Sequence, residues 1–288
     1  MRWQRAQAKV NLTLRVIGRR ADGYHDLESL VAFSGLCDWL AFEPGDDLIV
    51  EVLGSRASEA GPVDENLVAR AARSLAAHLP GLRLGRFRLV KHLPAAAGLG
   101  GGSADAAAAL RLLAEEAGLS VEDPRVRASA LATGADVLVC LSPQARIMRG
   151  IGDKLGAAVR LPKVFALLVN PQVRAPTREV FAALGLAPGS QLEAPARSAS
   201  PLESDAGVFW DVLSRGSNDL VAAAIRVAPA IATVLKRLSQ IPEAKATGMS
   251  GSGATCFALF GDRRSAAAAR RIVAAEHPGW WVEATCLH

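Results

Sequence analysis

Apolar and polar residues alternate without a break across AKVNLTLRV: Ala8, Val10, Leu12, Leu14 and Val16 fall on one side, Lys9, Asn11, Thr13 and Arg15 on the other. A period of two marks a half-buried strand, because successive side chains point to opposite faces. The polar loop GRRADGYHDL follows, and LVAFSGLCDWLAFEP and DLIVEVLG read as further strands. Over ENLVARAARSLAAHL the period becomes that of an amphipathic helix, which Pro80-Gly81 stops. RFRLVKHLP is a strand that delivers the chain to a glycine-rich loop, and a second helix starts near Ser103 and stops at Gly118. PRVRASALAT is helical, a Thr-Gly-Ala break follows, and the short apolar run DVLVC fits either helix or strand.

From about residue 161 the texture repeats. KVFALLVNP is a strand with a proline stop, and PTREVFAALG is a short helix. GLAPGSQLEAPARSASPLESD is rich in Pro, Ser and Ala and reads as an exposed loop. VAAAIRVAPAIATVLKRLSQ is helical with Pro229 as a break or new start, and KATGMSGSGATCFALFGD is a second glycine loop leading into a strand. SAAAARRIVAAEH and WWVEATCL close the chain as helix and strand, and no internal repeat is visible. The pattern predicts a mixed α+β chain in two lobes, an N-terminal domain over 1–160 and a C-terminal domain over 161–288 whose last strand can rejoin the first.

At 288 residues the chain has ample core, and with half its residues apolar and 21% charged it has an ordinary globular balance. The net charge of +5 suits an anionic ligand. The basic residues are scattered, and aromatic residues are not interleaved with arginines, which argues against a nucleic-acid partner. Cys37, Cys140, Cys256 and Cys286 lie far apart, with no C-x-x-C pair and no histidines at ligand spacing. Neither a zinc site nor a disulfide framework is expected, and no metal ligand is identified. Gln4, Arg5, Gln7, Lys9 and Asn11 interrupt any leader-like apolar run, and no uncharged stretch has transmembrane length. A cytoplasmic protein with no membrane partner is the expectation.

The candidate chemistry centres on PAAAGLGGGSADAAAALRLLAEEAG, residues 94–118. It is not a P-loop, since no lysine follows Gly102, and not a dinucleotide fingerprint, since Ser103 stands where the third glycine belongs. A strand ending in a glycine-rich turn that opens a helix nevertheless presents backbone N–H groups on one concave side, and the helix start adds partial positive charge. Gly98, Leu99, Gly100, Gly101, Gly102 and Ser103 therefore form a candidate phosphate cradle, with Ser103 able to cap the helix or to donate to a phosphate oxygen. Lys9 and Asn11 share one strand face. Asp136 in GADV could be a turn or helix-cap residue, and Tyr24 and His25 ordinary loop residues; it is their combination that carries information.

AKVNLTLRVIGRRADGYHDLESL, PAAAGLGGGSADAAAALRLL, the GADV segment and GMSGSGATCFALF, in this order and spacing, resemble the galactokinase, homoserine kinase, mevalonate kinase and phosphomevalonate kinase superfamily over about residues 6–260. The glycine loop marks only the superfamily. The A-K-[VIL]-N-L…R-x-D-G-Y-H-x-L block resembles that of members which phosphorylate the 2-hydroxyl of a cytidine-diphosphate methylerythritol, on the methylerythritol phosphate route to isoprenoids. The resemblance implies a two-lobed small-molecule kinase fold with ATP at the first lobe and the acceptor in the cleft between lobes. It implies that Gly98 to Ser103 cradle the phosphates and that Asn66, in ENLVARAA, contacts the nucleotide. Asp136 matches the catalytic base and Lys9 the lysine paired with it. Asn11 matches a contact to the methylerythritol hydroxyls. Tyr24 would stack on the cytosine, His25 bond its edge and Phe181 close the other side, while Gly251 and Gly253 shape the acceptor side. Magnesium would accompany ATP, and the protein would be a monomer or homodimer.

The sequence departs from the family pattern in three places. Leu138 stands where the family has proline, Ala104 replaces a serine of the glycine loop, and RIMRGIGDKL is atypical. A sister kinase for mevalonate or homoserine fits less well, because those acceptors offer no base for Tyr24 and His25. A non-catalytic nucleotide-binding module has no need of Lys9 and Asp136.

Overall fold

The computed structural model describes residues 1–192 and 206–288. In chain order the elements are β1 (Arg2–Asn11), β2 (Arg15–Arg19), β3 (His25–Glu43), β4 (Ile49–Leu53), α1 (Leu67–His78), β5 (Arg86–Val90), α2 (Gly101–Glu116), α3 (Pro124–Thr133) and α4 (Val137–Leu141). They continue with β6 (Arg146–Gly150), β7 (Lys154–Ala158), β8 (Val164–Asn170), α5 (Thr177–Ala182), α6 (Ala206–Arg215), α7 (Val221–Val227) and α8 (Ala230–Ser239). β9 (Ala246–Met249), β10 (Cys256–Phe260), α9 (Arg263–Glu276) and β11 (Trp281–Leu287) complete the chain. The fold is mixed α and β, as the sequence pattern predicts.

The chain forms two compact units. The first takes Met1–Lys9, Leu36–Ala95 and Gly100–Pro143; the second takes Val10–Gly35, Ala96–Leu99 and Gln144–His288. In the first unit β5 runs antiparallel to the end of β3, from Trp39↔Val90 to Glu43↔Arg86, and parallel to β4. The inward residues of this sheet are large and fully buried, with the Phe42 and Phe87 rings 4.8 Å apart. Helix α1 buries Val68, Ala69, Ala71, Ala72 and Leu75, a 3.6-period face, against α2 and α3. Helix α2 is buried nearly all round, and its run of alanines, Ala106 to Ala109, lets the neighbouring helices come close.

In the second unit β8 lies between β10 and β11, antiparallel to both, with Val169 opposite Cys256 and Val282. Its sequence VFALLVN is almost continuously buried, as for a strand covered on both faces. Val169, Ile231, Val234, Phe260 and Val273 join the core where α8 and α9 pack on this sheet. β2 and β6 both pair antiparallel with the start of β3, and β6 continues into a hairpin with β7.

Two local expectations change, and the points the pattern left open are settled. The strand read over AKVNLTLRV is broken: β1 starts at Arg2 and ends at Asn11, and β2 begins at Arg15. Across the gap Leu12 N–H turns to Leu30 O and Leu14 N–H to Ser217 O. The polar side of β1 is solvated only at its start, where Arg5 is exposed; Lys9 is 5% and Asn11 1% exposed. The DVLVC run is the helix α4, and the atypical RIMRGIGDKL is the β6–β7 hairpin, turning at Gly150 and Gly152, both at positive φ. Pro229 separates α7 from α8. Of the segment GLAPGSQLEAPARSASPLESD, residues 193–205 lie outside the described residues.

Truncating Phe87, fully buried against Phe42, removes ring packing that no neighbour replaces. Phe87→Ala is expected to lower stability by about 3–5 kcal/mol, read as a fall in the guanidinium midpoint followed by circular dichroism.

Candidate active site

The glycine loop divides between the units, Ala96–Leu99 with the second and Gly100 onward with the first. Within the first unit, Gly100 is the N-cap of α2 at φ 61°, ψ 25°, a left-handed conformation that glycine adopts without strain. The first helical bond runs from Ala104 N–H to Gly100 O at 2.8 Å. The amides of Gly101, Gly102 and Ser103 are therefore the orphan donors of the helix start. Ser103 is the third helical residue and not the cap, so its hydroxyl is not the group that ends this helix. A Cβ at Gly100 would come within 2.7 Å of Lys9 Cγ, and one at Gly102 within 3.3 Å of Leu67. These glycines thus give room to the lysine stem and to the neighbouring helix as well as exposing amides. Leu99 is fully buried.

Lys9 passes beside Gly100 and ends in an ion pair, Nζ to Asp136 Oδ2 at 3.0 Å. The lysine side chain is 6% exposed and the aspartate 32%, so the cation is enclosed while the carboxylate keeps an open side. Asp136 occupies the N-cap position of α4 yet makes no capping hydrogen bond. That leaves its carboxylate oxygens for Lys9 and for a reactant. Asn66 caps α1 through Oδ1, which accepts from Val68 N–H at 2.9 Å. The helix-start role of its residue type is thus present, alongside any contact to a nucleotide.

Within the second unit, the first glycine loop is stitched to the second. Gly98 stands at φ 75°, and its carbonyl accepts from Ser250 Oγ at 2.8 Å. Thr255 N–H donates to Ala97 O at 3.1 Å. Asn11 N–H donates to the same Ser250 hydroxyl at 3.0 Å, and its Nδ2 donates to Ser29 Oγ at 2.7 Å. Gly251 is left-handed at φ 58°, and a Cβ there would lie 3.3 Å from both Asn11 Oδ1 and Gly98 O. A Cβ at Gly253, φ 87°, would strike Met249 and Ile231. The structure thus brings Asn11, Gly98, Gly251 and Gly253 together around Ser250.

Farther along the same unit, His25 stacks on Phe181 with ring centroids 4.7 Å apart and planes 29° from parallel. Burial lowers the His25 pKa below its ordinary 6.5, with the Arg19 charge adding to the effect. The buried ring nitrogen Nε2 has no hydrogen-bond partner among the described residues. Tyr24 is 61% exposed, and its N–H is held by Asp22 Oδ1 in a local turn at 3.1 Å. Phe181 therefore has His25 as its ring partner.

Four further side chains contribute that were not named individually from the sequence. Ser250 ties Asn11 to Gly98, Asn218 Nδ2 donates to Met249 O and Gly251 O at 2.7 Å each, and Thr177 Oγ1 meets Ser252 Oγ at 2.9 Å. Ser250 and Ser252 sit inside the glycine motif GMSGSG and so were visible as part of it. Asn218 and Thr177 have no local pattern that announces a long-range bond. Among the described residues no group of three or more His, Cys, Asp or Glu side chains could hold a metal ion, and no helix is long and apolar enough to cross a membrane.

Comparison with known proteins shows the family. The GHMP kinase N-terminal domain model matches residues 66–143 and the GHMP kinase C-terminal model residues 202–279. The chain is 54% identical to the 4-diphosphocytidyl-2-C-methyl-D-erythritol kinase of Xanthobacter autotrophicus and 53% identical to that of Methylorubrum extorquens, each match covering 98% of both chains. A crystal structure of 4-(cytidine 5'-diphospho)-2C-methyl-D-erythritol kinase superposes with a TM-score of 0.74 at 31% identity, covering 99% of each chain. The Methanococcus jannaschii mevalonate kinase shares the fold, with a TM-score of 0.65 at 10% identity over 100% of this chain and 98% of its own. Two family models in the order of the two glycine motifs, and near-full-length identity above one half, leave one assignment: the chain belongs to the 4-diphosphocytidyl-2-C-methyl-D-erythritol kinase family of the GHMP kinases.

Proposed function

We propose that this protein transfers the γ-phosphoryl group of ATP to the 2-hydroxyl of 4-diphosphocytidyl-2-C-methyl-D-erythritol, with Asp136 as general base. The observation that carries the reading is the Lys9–Asp136 pair at 3.0 Å, whose carboxylate is partly open and makes no capping bond. Asp136 accepts the proton as the O–H bond of the acceptor breaks. The new O–P bond forms at the γ-phosphorus while its bond to the bridging oxygen of ADP breaks. Lys9 orients the carboxylate and offsets the negative charge that develops on the attacking oxygen. The orphan amides of Gly101, Gly102 and Ser103 bind the phosphates and need no rearrangement to do so.

Asn66 is assigned to the nucleotide, and Gly98 and Leu99 to the loop that shapes its phosphate site. Asn11 is assigned to the methylerythritol hydroxyls, with Gly251 and Gly253 keeping the backbone around it close. Tyr24, His25 and Phe181 are assigned to the cytosine. The buried, unpartnered Nε2 of His25 supports this, because a buried ring nitrogen lacking a partner is completed by a ligand that supplies one. The imidazole covers Phe181, and Tyr24 is the exposed ring that can close on a base.

Magnesium would supply charge neutralisation on the nucleotide phosphates. The described residues offer no cage of three or more His, Cys, Asp or Glu side chains for it, in keeping with an ion held by phosphates and water plus at most one or two protein oxygens. The cytoplasm is the proposed compartment, supported by four cysteines that are all free.

Asp136→Asn keeps the shape of the side chain and removes the base. Its kcat is expected to fall about 10²- to 10⁴-fold, with the dissociation constant of nucleotide little changed; a kcat within a few-fold of the parent would overturn the role. Phe181→Ala is expected to raise KM for the cytidylated acceptor about tenfold, near the upper range of one lost aromatic stack, and to leave KM for ATP alone. Because the His25 pKa is lowered, the ring is neutral at neutral pH and gains its proton only below 6.5. The acceptor KM should stay level from pH 8 down to about 6.5 and rise in more acid solution, a rise that His25→Gln removes. A KM that already climbs between pH 8 and 7 would contradict this.

A further inference from the structure

Against the start of α2 lies a buried cluster of three ionisable groups that the phosphoryl-transfer scheme does not use. Lys91 follows β5, Asp38 lies on β3, and Asp105 stands one turn into α2; they are 4%, 0% and 2% exposed. Lys91 Nζ donates to Asp38 Oδ2 at 2.5 Å and to Asp105 Oδ2 at 2.8 Å. Asp38 Oδ1 accepts from the backbone N–H of His92 at 2.5 Å and of Leu93 at 2.9 Å. One cluster therefore fastens both the chain entering the glycine loop and the helix leaving it. It is also close to the phosphate cradle, since a Cβ built on Gly101 would lie 3.6 Å from Lys91 Nζ and 3.8 Å from Asp38 Oδ2.

The charges do not balance when all three groups are ionised, for two carboxylates then face one ammonium in a dry interior. A buried excess charge is costly. The geometry offers one remedy, because buried Asp105 Oδ1 has no hydrogen-bond partner among the described residues and can carry a proton. Burial pushes the Asp105 carboxyl up to about 7, with Lys91 opposing that shift and the like charge of Asp38 adding to it. From α4 the Cys140 thiol also feels Asp105, but burial raises it to about 12 and it stays uncharged. Among the described residues, no ionisable side chain of α1 or α3 contributes to the Asp105 shift.

Resting on the reading of this loop as the ATP phosphate site, we infer that Lys91, Asp38 and Asp105 are positioning residues that hold the phosphate-binding start of α2, and that nucleotide binds best when Asp105 carries a proton. With that proton the cluster is neutral and the helix start presents its partial positive charge to the phosphates. Without it, a net negative charge lies one turn behind the same amides and opposes the triphosphate. Protonation and nucleotide binding are thus linked, and binding draws a proton onto Asp105.

The test measures binding of a magnesium-loaded, non-hydrolysable ATP analogue, without acceptor, to the parent and to Asp105→Asn. Between about pH 6.5 and 8.5 the parent Kd is expected to weaken about three- to tenfold relative to that of the variant, whose cluster stays neutral. Taking the ratio at each pH cancels the titration of the nucleotide itself. Calorimetry near pH 7.5 in two buffers of different ionisation enthalpy should show proton uptake by the parent and none by the variant. The same pH profile in both proteins, or no proton uptake by the parent, overturns the inference and leaves the loop's nucleotide role intact. If Asp105→Asn does not fold, proton uptake by the parent decides alone. A parent that binds no nucleotide at any pH overturns the phosphate-site reading, and this inference with it.

Discussion

The first amides of a helix have no partner within it, and at α2 those amides belong to Gly101, Gly102 and Ser103. The local fold is arranged around leaving them that way. Gly100 takes the left-handed conformation that starts the helix without a side-chain cap, and the absence of a Cβ there makes room for the Lys9 stem. The alanine run behind it is buried from Ala104 to Ala109, so the body of α2 packs closely among its neighbours while Gly101, Gly102 and Ser103 keep an open side. A donor array fixed before the ligand arrives stabilises charge without reorganising, which is what phosphoryl transfer requires of a protein.

The same economy governs the polar groups around it. Lys9 and Asn11 sit at the buried end of β1, and each is satisfied inside the protein, Lys9 by Asp136 and Asn11 by Ser29 and Ser250. A third of the Asp136 side chain is exposed, so the pair contributes modestly to stability. Its value lies in orientation: a carboxylate fixed by one cation, with a free side and no capping duty, can take a proton from a substrate. Around Gly98, glycine does a different job, letting the first loop approach the backbone of Ser250 and Gly253 more closely than any side chain permits.

Much of this was legible in the sequence, for identifiable reasons. Strands such as KVFALLVNP and helices such as ENLVARAARSLAAHL carry one strong period each and are bounded by proline or glycine, and both appear where the pattern puts them. AKVNLTLRV misled because its alternation persists through a bend: Leu12 and Leu14 keep their buried side while their amides turn to Leu30 and Ser217. DVLVC was too short for periodicity to separate helix from strand, and contact with α2 decided it as a helix. Lys9, Asn11 and Asp136 were found through motif resemblance. Asn218 and the Lys91 cluster were not, because a buried lysine or asparagine looks in sequence like any other until a distant segment supplies its partner.

Which alcohol receives the phosphoryl group decides the role of every residue assigned to the acceptor. Phosphorus-31 nuclear magnetic resonance of reactions containing purified protein, magnesium and ATP would identify the product from each of four acceptors: 4-diphosphocytidyl-2-C-methyl-D-erythritol, mevalonate, homoserine and galactose. The account predicts a new phosphomonoester signal, matched by stoichiometric ADP, with the cytidylated acceptor alone. Phosphorylation of another of the four in its place, or ATP binding with no transfer to any of them, would contradict it.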